Sequence, residues 1–205
     1  ITGVFFIRKY FEHKEILAHE GVFYEGIYVE NIPLGGLTME EARPLVEQAV
    51  DKRSAWSMKA DCGGEVYEIA DILEHNTEEV LAEAFAMGHE GTDEERLSQI
   101  QLLQRKGKYF TVKDSYQKSA AVSAVAAVAA KYDIQAKNAA LTGWTEEGGF
   151  QYSEESAGRM VDQEDLLSQL EAAFAAGDYG AVLAGKVSQV TPSMNLEQAK
   201  NSYEL

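Results

Sequence analysis

The sequence predicts an α+β fold built from two similar tandem units, each a strand, a helix, a hairpin and a second helix. A duplicated vocabulary carries that reading. The phrase AFAMGHEG at 84–91 returns as AFAAGDYG at 173–180, and GGEVY at 63–67 returns as GGFQY at 148–152, in the same order. The offsets are 89 (173 minus 84) and 85 (148 minus 63), so the second copy holds four more residues between hairpin and helix end, about one helical turn. The divisions that follow are a membrane-proximal segment at 1–21, a first unit with its connecting helix at 22–107, a second unit at 108–192, and a linker or tail at 193–205.

VFYEGIYVE at 22–30 is rich in β-branched and aromatic residues and predicts the first strand. Thr38 then opens a helix through the capping box TMEE, in which Thr38 accepts from the Glu41 amide and the Glu41 side chain returns to the Thr38 amide. Ala42, Leu45, Val46, Ala49 and Val50 form its expected buried stripe, with Pro44 loosening the early turns. WSMKAD and EVYEI make a hairpin around Cys62, Gly63 and Gly64. A helix capped at Asn76 or Thr77 follows, with Leu81, Ala84 and Phe85 inward and Gly88 at its end.

Residues 93–105 read as a connecting helix, with KGK at 106–108 as the seam between units. The second unit starts with the strand YFTVK at 109–113 and an alanine-rich helix at 115–132. Val122, Val125, Ala129 and Tyr132 lie along one side of that helix, which is expected to be packed on much of its circumference. AALTGW and GFQYS form the second hairpin through TEEG. Asp162 caps the last helix, Val161 and Leu166 are placed for a hydrophobic staple, and Leu166, Leu167, Leu170, Ala173 and Phe174 are its buried stripe. An exit strand at 181–191 stops at Pro192.

The composition is that of a water-soluble globular chain of 205 residues, 45% hydrophobic and 25% charged, without an apolar window of about 18 residues. With 18 Lys and Arg against 34 Asp and Glu, the net charge of -16 repels a phosphate backbone, so nucleic acid is not an expected partner. The single cysteine, Cys62, excludes an intrachain disulfide and a cysteine-based zinc site. That usage fits the cytoplasm and the disulfide-poor exterior of Gram-positive bacteria alike. ITGVFFI at 1–7, running into Arg8 and Lys9, reads either as the outer end of a membrane-spanning segment or as a first strand or helix of the fold.

No residue pattern points to catalysis. The histidines (13, 19, 75 and 89) form no HExxH, HxH or Cys-His pattern, and read as surface residues. Cys62 reads as an incidental turn residue. Two of the acidic pairs, Glu40-Glu41 and Glu78-Glu79, have first-turn helix roles, which leaves Glu154-Glu155 unassigned. No cofactor and no metal is expected. Binding is better represented. Arg159, in SAGRMVD at 156–162, either holds a ligand carboxylate in a bidentate fork or fixes its own turn through Asp162, Glu164 or a backbone carbonyl. Trp56, Tyr67, Trp144 and Tyr152 occupy corresponding hairpins and read either as a stacking surface for sugar rings or as core.

GIYVENIPLGGLTMEEA at 26–42, AFAMGHEG at 84–91 and FQYSEESAGRMVDQEDLLSQLEAAFAAG at 150–177 resemble the extracytoplasmic part of VanW-like proteins. That part is named as a peptidoglycan-binding domain and also precedes some L,D-transpeptidase catalytic domains. The resemblance covers roughly 22–192, but the HGC signature of the transpeptidases and the downstream VanW region are missing from this sequence. It implies an α+β module that binds peptidoglycan without catalysing a reaction, in the cell envelope outside the cytoplasm. It also implies an anchoring membrane segment upstream of or overlapping residues 1–9, and a neighbouring envelope domain as a further partner. The alternative is a structural stalk or protein-interaction domain that presents another envelope domain without touching glycan.

Overall fold

The computed structural model describes residues 19–203 together with Tyr10, His13, Lys14 and Ile16, so the apolar start at 1–7 lies outside the described residues. The fold is α+β. Its strands are β1 (Ile27–Val29), β2 (Ile32–Pro33), β3 (Lys59–Cys62), β4 (Glu65–Glu68), β5 (Leu73–His75), β6 (Lys108–Phe110), β7 (Asp114–Tyr116), β8 (Ala140–Thr145), β9 (Gly149–Ser153), β10 (Gly158–Val161), β11 (Val182–Gly185) and β12 (Val187–Val190). The helices are α1 (Met39–Arg53), α2 (Thr77–Ala86), α3 (Asp93–Lys106), α4 (Lys118–Tyr132), α5 (Gln163–Ala176) and α6 (Leu196–Tyr203).

The chain forms two compact units, but not by a single cut near residue 107. One unit is Ile1–Ala55 with Leu73–Ser115, and the other is Trp56–Ile72 with Tyr116–Leu205. The order strand, helix, hairpin, strand, helix does occur in both halves of the sequence. The hairpin β3–β4 of the first half, however, is built into the second unit, because β3 pairs in parallel with β11 over Lys59↔Val182 to Cys62↔Gly185.

In the first unit, β1 lies between β2, antiparallel, and β6, parallel. The capping box at Thr38 and Glu41 is present, and α1 runs unbroken through Pro44. Its buried residues are Ala42, Val46 and Val50, whereas Leu45 is exposed. The stripe follows an i, i+4, i+8 line, and Leu45 falls to one side of it. Phe23, Tyr24, Ile27, Val29, Leu81 and Leu103 join that stripe in the core. Arg53, in the last turn of α1, donates to Glu30 (2.8 Å) and to the Val112 carbonyl (3.1 Å) and pairs with Asp114, which also accepts from Ser54 (2.7 Å). Asn76 stands at the N-cap of α2 without capping it, since its side-chain oxygen takes the Lys113 amide at 2.7 Å.

In the second unit, α4 and α5 pack on the sheet β11-β3-β4 around Met58, Ala60, Cys62, Val125, Leu166, Leu170 and Leu183. Helix α4 buries Ala121, Ala124, Val125, Val128, Ala129 and Tyr132, while Val122 is exposed. It is thus one-sided rather than enclosed, with Ser119, Val122, Ser123, Ala127 and Ala130 facing water. Asp162 caps α5 by accepting from the Asp165 amide, and the expected stapling residues Val161 and Leu166 are both in the core. The exit segment divides into β11 and β12, the latter antiparallel to β10. The tail forms α6, whose Leu196 amide donates to Glu155 at 2.9 Å.

The repeated phrase does similar local work in each unit. Gly88 and Gly177 both take positive φ (83° and 69°) where α2 and α5 end. Phe85 meets Phe23 edge-on at 5.1 Å in the first unit, and Phe174 meets Tyr116 at 4.6 Å in the second.

Candidate functional site

Arg159 lies in strand β10, where the sequence suggested a turn. Gly158 makes that position possible, since a β-carbon there would stand 2.3 Å from the Ile134 carbonyl oxygen and 2.4 Å from the Ala136 amide nitrogen. From β10 the Arg159 guanidinium forks onto both carboxylate oxygens of Glu65 on β4 and donates through Nε to the Tyr132 carbonyl at 2.9 Å. It lies 4.3 Å from the centre of the Tyr132 ring, whose other neighbour is Tyr67, edge-on at 6.4 Å. The Tyr67 hydroxyl completes the set by donating to Glu65 at 2.6 Å. Hydrogen bonds from Arg159 and Tyr67 hold the Glu65 carboxyl below the usual carboxylate range, and the same Glu65 bond pushes the Tyr67 hydroxyl up. Arg159 and Tyr67 are therefore brought together, with each other's partner as their own. The carboxylate fork is real; its carboxylate comes from a residue 94 positions away in the chain.

Trp144 and Tyr152 share the hairpin β8–β9. Its pairs Leu141↔Tyr152 and Trp144↔Phe150 are separated by a bulge at Thr142. Phe150 and Tyr152 are two residues apart on β9, so all four side chains stand on one face. Tyr203 of α6 comes within 6.4 Å of Tyr152 at one end, while at the other end Trp144 and Phe150 are 62% and 44% exposed. The sequence carries no signal for Phe150, since counting outward from TEEG as the loop sets Trp144 against Gly149; in the structure Thr145 pairs with Gly149 and Trp144 with Phe150.

Trp56 takes a third position. It lines an open groove of about 550 Å³ together with Lys59, Glu68, Ile69, Asp71 and Lys131. Its indole N–H donates to the Ile69 carbonyl at 2.8 Å and its ring stacks on Tyr179 at 6.2 Å, so the wall it makes is fixed in place. The volume suits a small ligand or one residue of a polymer. Among the described residues, neither Lys59 nor Lys131 forms an ion pair.

Cys62, His75 and His89 are engaged in holding the fold. Cys62 is buried, and burial, followed by the charge of Asp61, pushes its thiol up, the opposite of what a nucleophile needs. His75 pairs with Asp114 at 2.9 Å, and the two ring nitrogens of His89 lie against the Phe85 and His19 carbonyls. These two are half-buried structural residues rather than surface ones. Among the described residues, no group of three or more His, Cys, Asp or Glu side chains is placed to hold a metal ion, and no helix is long and apolar enough to cross a membrane.

A family model described as "Putative peptidoglycan binding domain" matches residues 68–182, more than half of the chain. That span contains Arg159, the whole β8–β9 hairpin, and Glu68 to Asp71 and Lys131 of the groove. No curated protein and no solved structure matches the chain.

Proposed function

Because the chain belongs to that peptidoglycan-binding family, we propose that it is the non-catalytic wall-binding module of a membrane-anchored, VanW-like envelope protein, working outside the cytoplasm. The family match carries this reading, and two features of the second unit give it a physical form. The open end of the hairpin face offers Trp144 and Phe150 as a platform for sugar rings, whose axial C–H groups pack on aromatic faces. The groove beside Trp56 supplies both signs of charge, which suits a wall polymer carrying amines and carboxylates. In this reading Arg159 and Tyr67 serve binding indirectly, by holding β4 in place, and Tyr152 does so by seating the hairpin on α6. The similar order of elements in the two halves then supplies the scaffold rather than two equivalent binding sites.

Co-sedimentation with purified sacculi at low and raised salt tests the proposal. Retention that weakens but persists as salt rises is the expected result, because stacking is insensitive to screening and the lysine contacts are not. Complete flow-through at low salt would leave the chain as a stalk or protein-interaction domain.

A further inference from the structure

Strand β4 is the outer strand of β11-β3-β4. Its ladder with β3 pairs Lys59 with Glu68, Ala60 with Tyr67, Asp61 with Val66 and Cys62 with Glu65, and the Ile69 amide donates to the Met58 carbonyl at 3.0 Å. Hydrogen-bonded and non-hydrogen-bonded pairs alternate along an antiparallel ladder. The backbone groups of Glu65, Tyr67 and Ile69 therefore point at β3, and those of Val66 and Glu68 point outward, to the side where, among the described residues, the sheet has no further strand. The Lys59 amide, donating to Ala181 on the far side of β3 at 3.0 Å, fits the same alternation.

An open edge invites another strand, and proteins commonly blunt it with a bulge, a proline or a covering loop. The four-residue β4 is short and carries Glu65, which Arg159 holds, and Glu68, but residues 65–68 have no proline and the β3–β4 ladder runs without a register shift. Val66 is 56% exposed. The inner side of the strand is instead made rigid, by Arg159 and Tyr67 on Glu65 and by the Tyr67 ring against Tyr132. Past Glu68 the same stretch of chain becomes the wall of the Trp56 groove, so the edge leads directly to Lys59, Lys131 and the carboxylates of Glu68 and Asp71.

We propose that this edge and groove bind an extended, zwitterionic peptide, which adds to β4 as a fourth strand and places its charged groups in the groove. The identity of that peptide rests on the wall-binding reading: it is the stem peptide of peptidoglycan, and not the glycan strand. The outward N–H and C=O groups of Val66 and Glu68 are matched by the amides of a short extended peptide segment. A polymer of sugar rings presents no such segment. The charge pattern agrees, since two lysines and two carboxylates around one groove favour a partner bearing both a free amine and a carboxylate over a uniformly charged one.

The test uses the whole chain, labelled with nitrogen-15, and a synthetic stem peptide with a free side-chain amine and a free C-terminal carboxylate. The amide signals of Val66 and Glu68 are expected to shift on titration. Val66→Pro removes an outward N–H without touching the β3–β4 ladder, so it should fold normally and abolish the shift at Glu68. The double reversal Lys59→Glu with Lys131→Glu should weaken binding by about tenfold or more. In parallel, immobilised glycan strands freed of peptides by an amidase should hold the chain more weakly than intact wall does, keeping only the share that the Trp144 and Phe150 platform supplies. If stripped glycan holds the chain as well as intact wall does, or if intact wall holds it while the peptide leaves Val66 and Glu68 unmoved, the peptide inference is overturned and the wall-binding reading stands. If intact sacculi do not retain the chain and the peptide moves nothing, both fall together.

Discussion

The two hairpins of the second unit are alike in sequence and unlike in surroundings. β3–β4 has a parallel neighbour in β11 and is pinned from beneath by Arg159, so Tyr67 has both its ring and its hydroxyl occupied. β8–β9 forms a separate two-stranded sheet whose support is α6, and its Trp144 and Phe150 are left in water. An aromatic residue on a hairpin thus has no fixed meaning. In the first hairpin it fixes a strand; in the second it is free to meet something else.

The largest expected effect lies in the support the first hairpin shares with the core. Leu166 is fully buried under the β11-β3-β4 sheet, and Leu166→Ala should cost about 2–5 kcal/mol in a denaturant titration. Next comes Gly158→Val, which drives a side chain into the Ile134 carbonyl and should cost about 2–3 kcal/mol. It should also raise hydrogen exchange in β4 well above any change in β8–β9. Equal exchange in both hairpins would mean that Arg159 does not anchor β4.

Arg159→Ala should lower stability less than either, because both partners are partly exposed (34% and 48%) and water screens them. Its pH dependence is the sharper readout. Glu65 is lowered in the folded state, so its contribution is complete above the ordinary glutamate range near about 4.3 and is lost as pH falls through its folded value. The stability gap between wild type and Arg159→Ala should therefore be flat at neutral pH and narrow on acidification to the part that the Tyr132 contacts supply. A gap that keeps its full size into strong acid would assign the effect to the Tyr132 contacts alone. The smallest effect on folding is expected at Trp144→Ala, within about 0.5 kcal/mol of wild type, with retention on sacculi falling about three- to tenfold. Unchanged retention would remove the hairpin platform from the binding surface.

What the sequence made legible is what depends on near neighbours. The capping box at Thr38 and Glu41, the Asp162 cap and both hairpin turns involve contacts within a few residues, and each is visible as a short motif. The second capping box, Thr92 with Glu95, carries the same signature, set among the neighbouring acids Asp93 and Glu94. The strands β5 and β7 are three residues long and contain polar LEH and DSY, with no alternation to detect. Leu45 and Val122 were misplaced because a helix stripe drawn from composition is wider than the one its partner covers. The partner of Arg159 could not be read at all: nothing local marks Glu65, and only the insertion of an early hairpin into a late sheet brings the two together.

That insertion also limits how the molecule can be divided. The chain passes between its units three times, after residues 55, 72 and 115. The span matched by the family model begins at the final residue of β4 and ends at the first residue of β11. A recombinant fragment cut to those limits would lack β3 and so leave Val125, Val128 and Leu170 without Met58, Ala60 and Cys62 to cover them. It should precipitate or expose greasy surface, and its failure to hold the wall would be a defect of the cut. A faithful excision starts at Trp56 and bypasses 73–115, or reorders the termini by circular permutation.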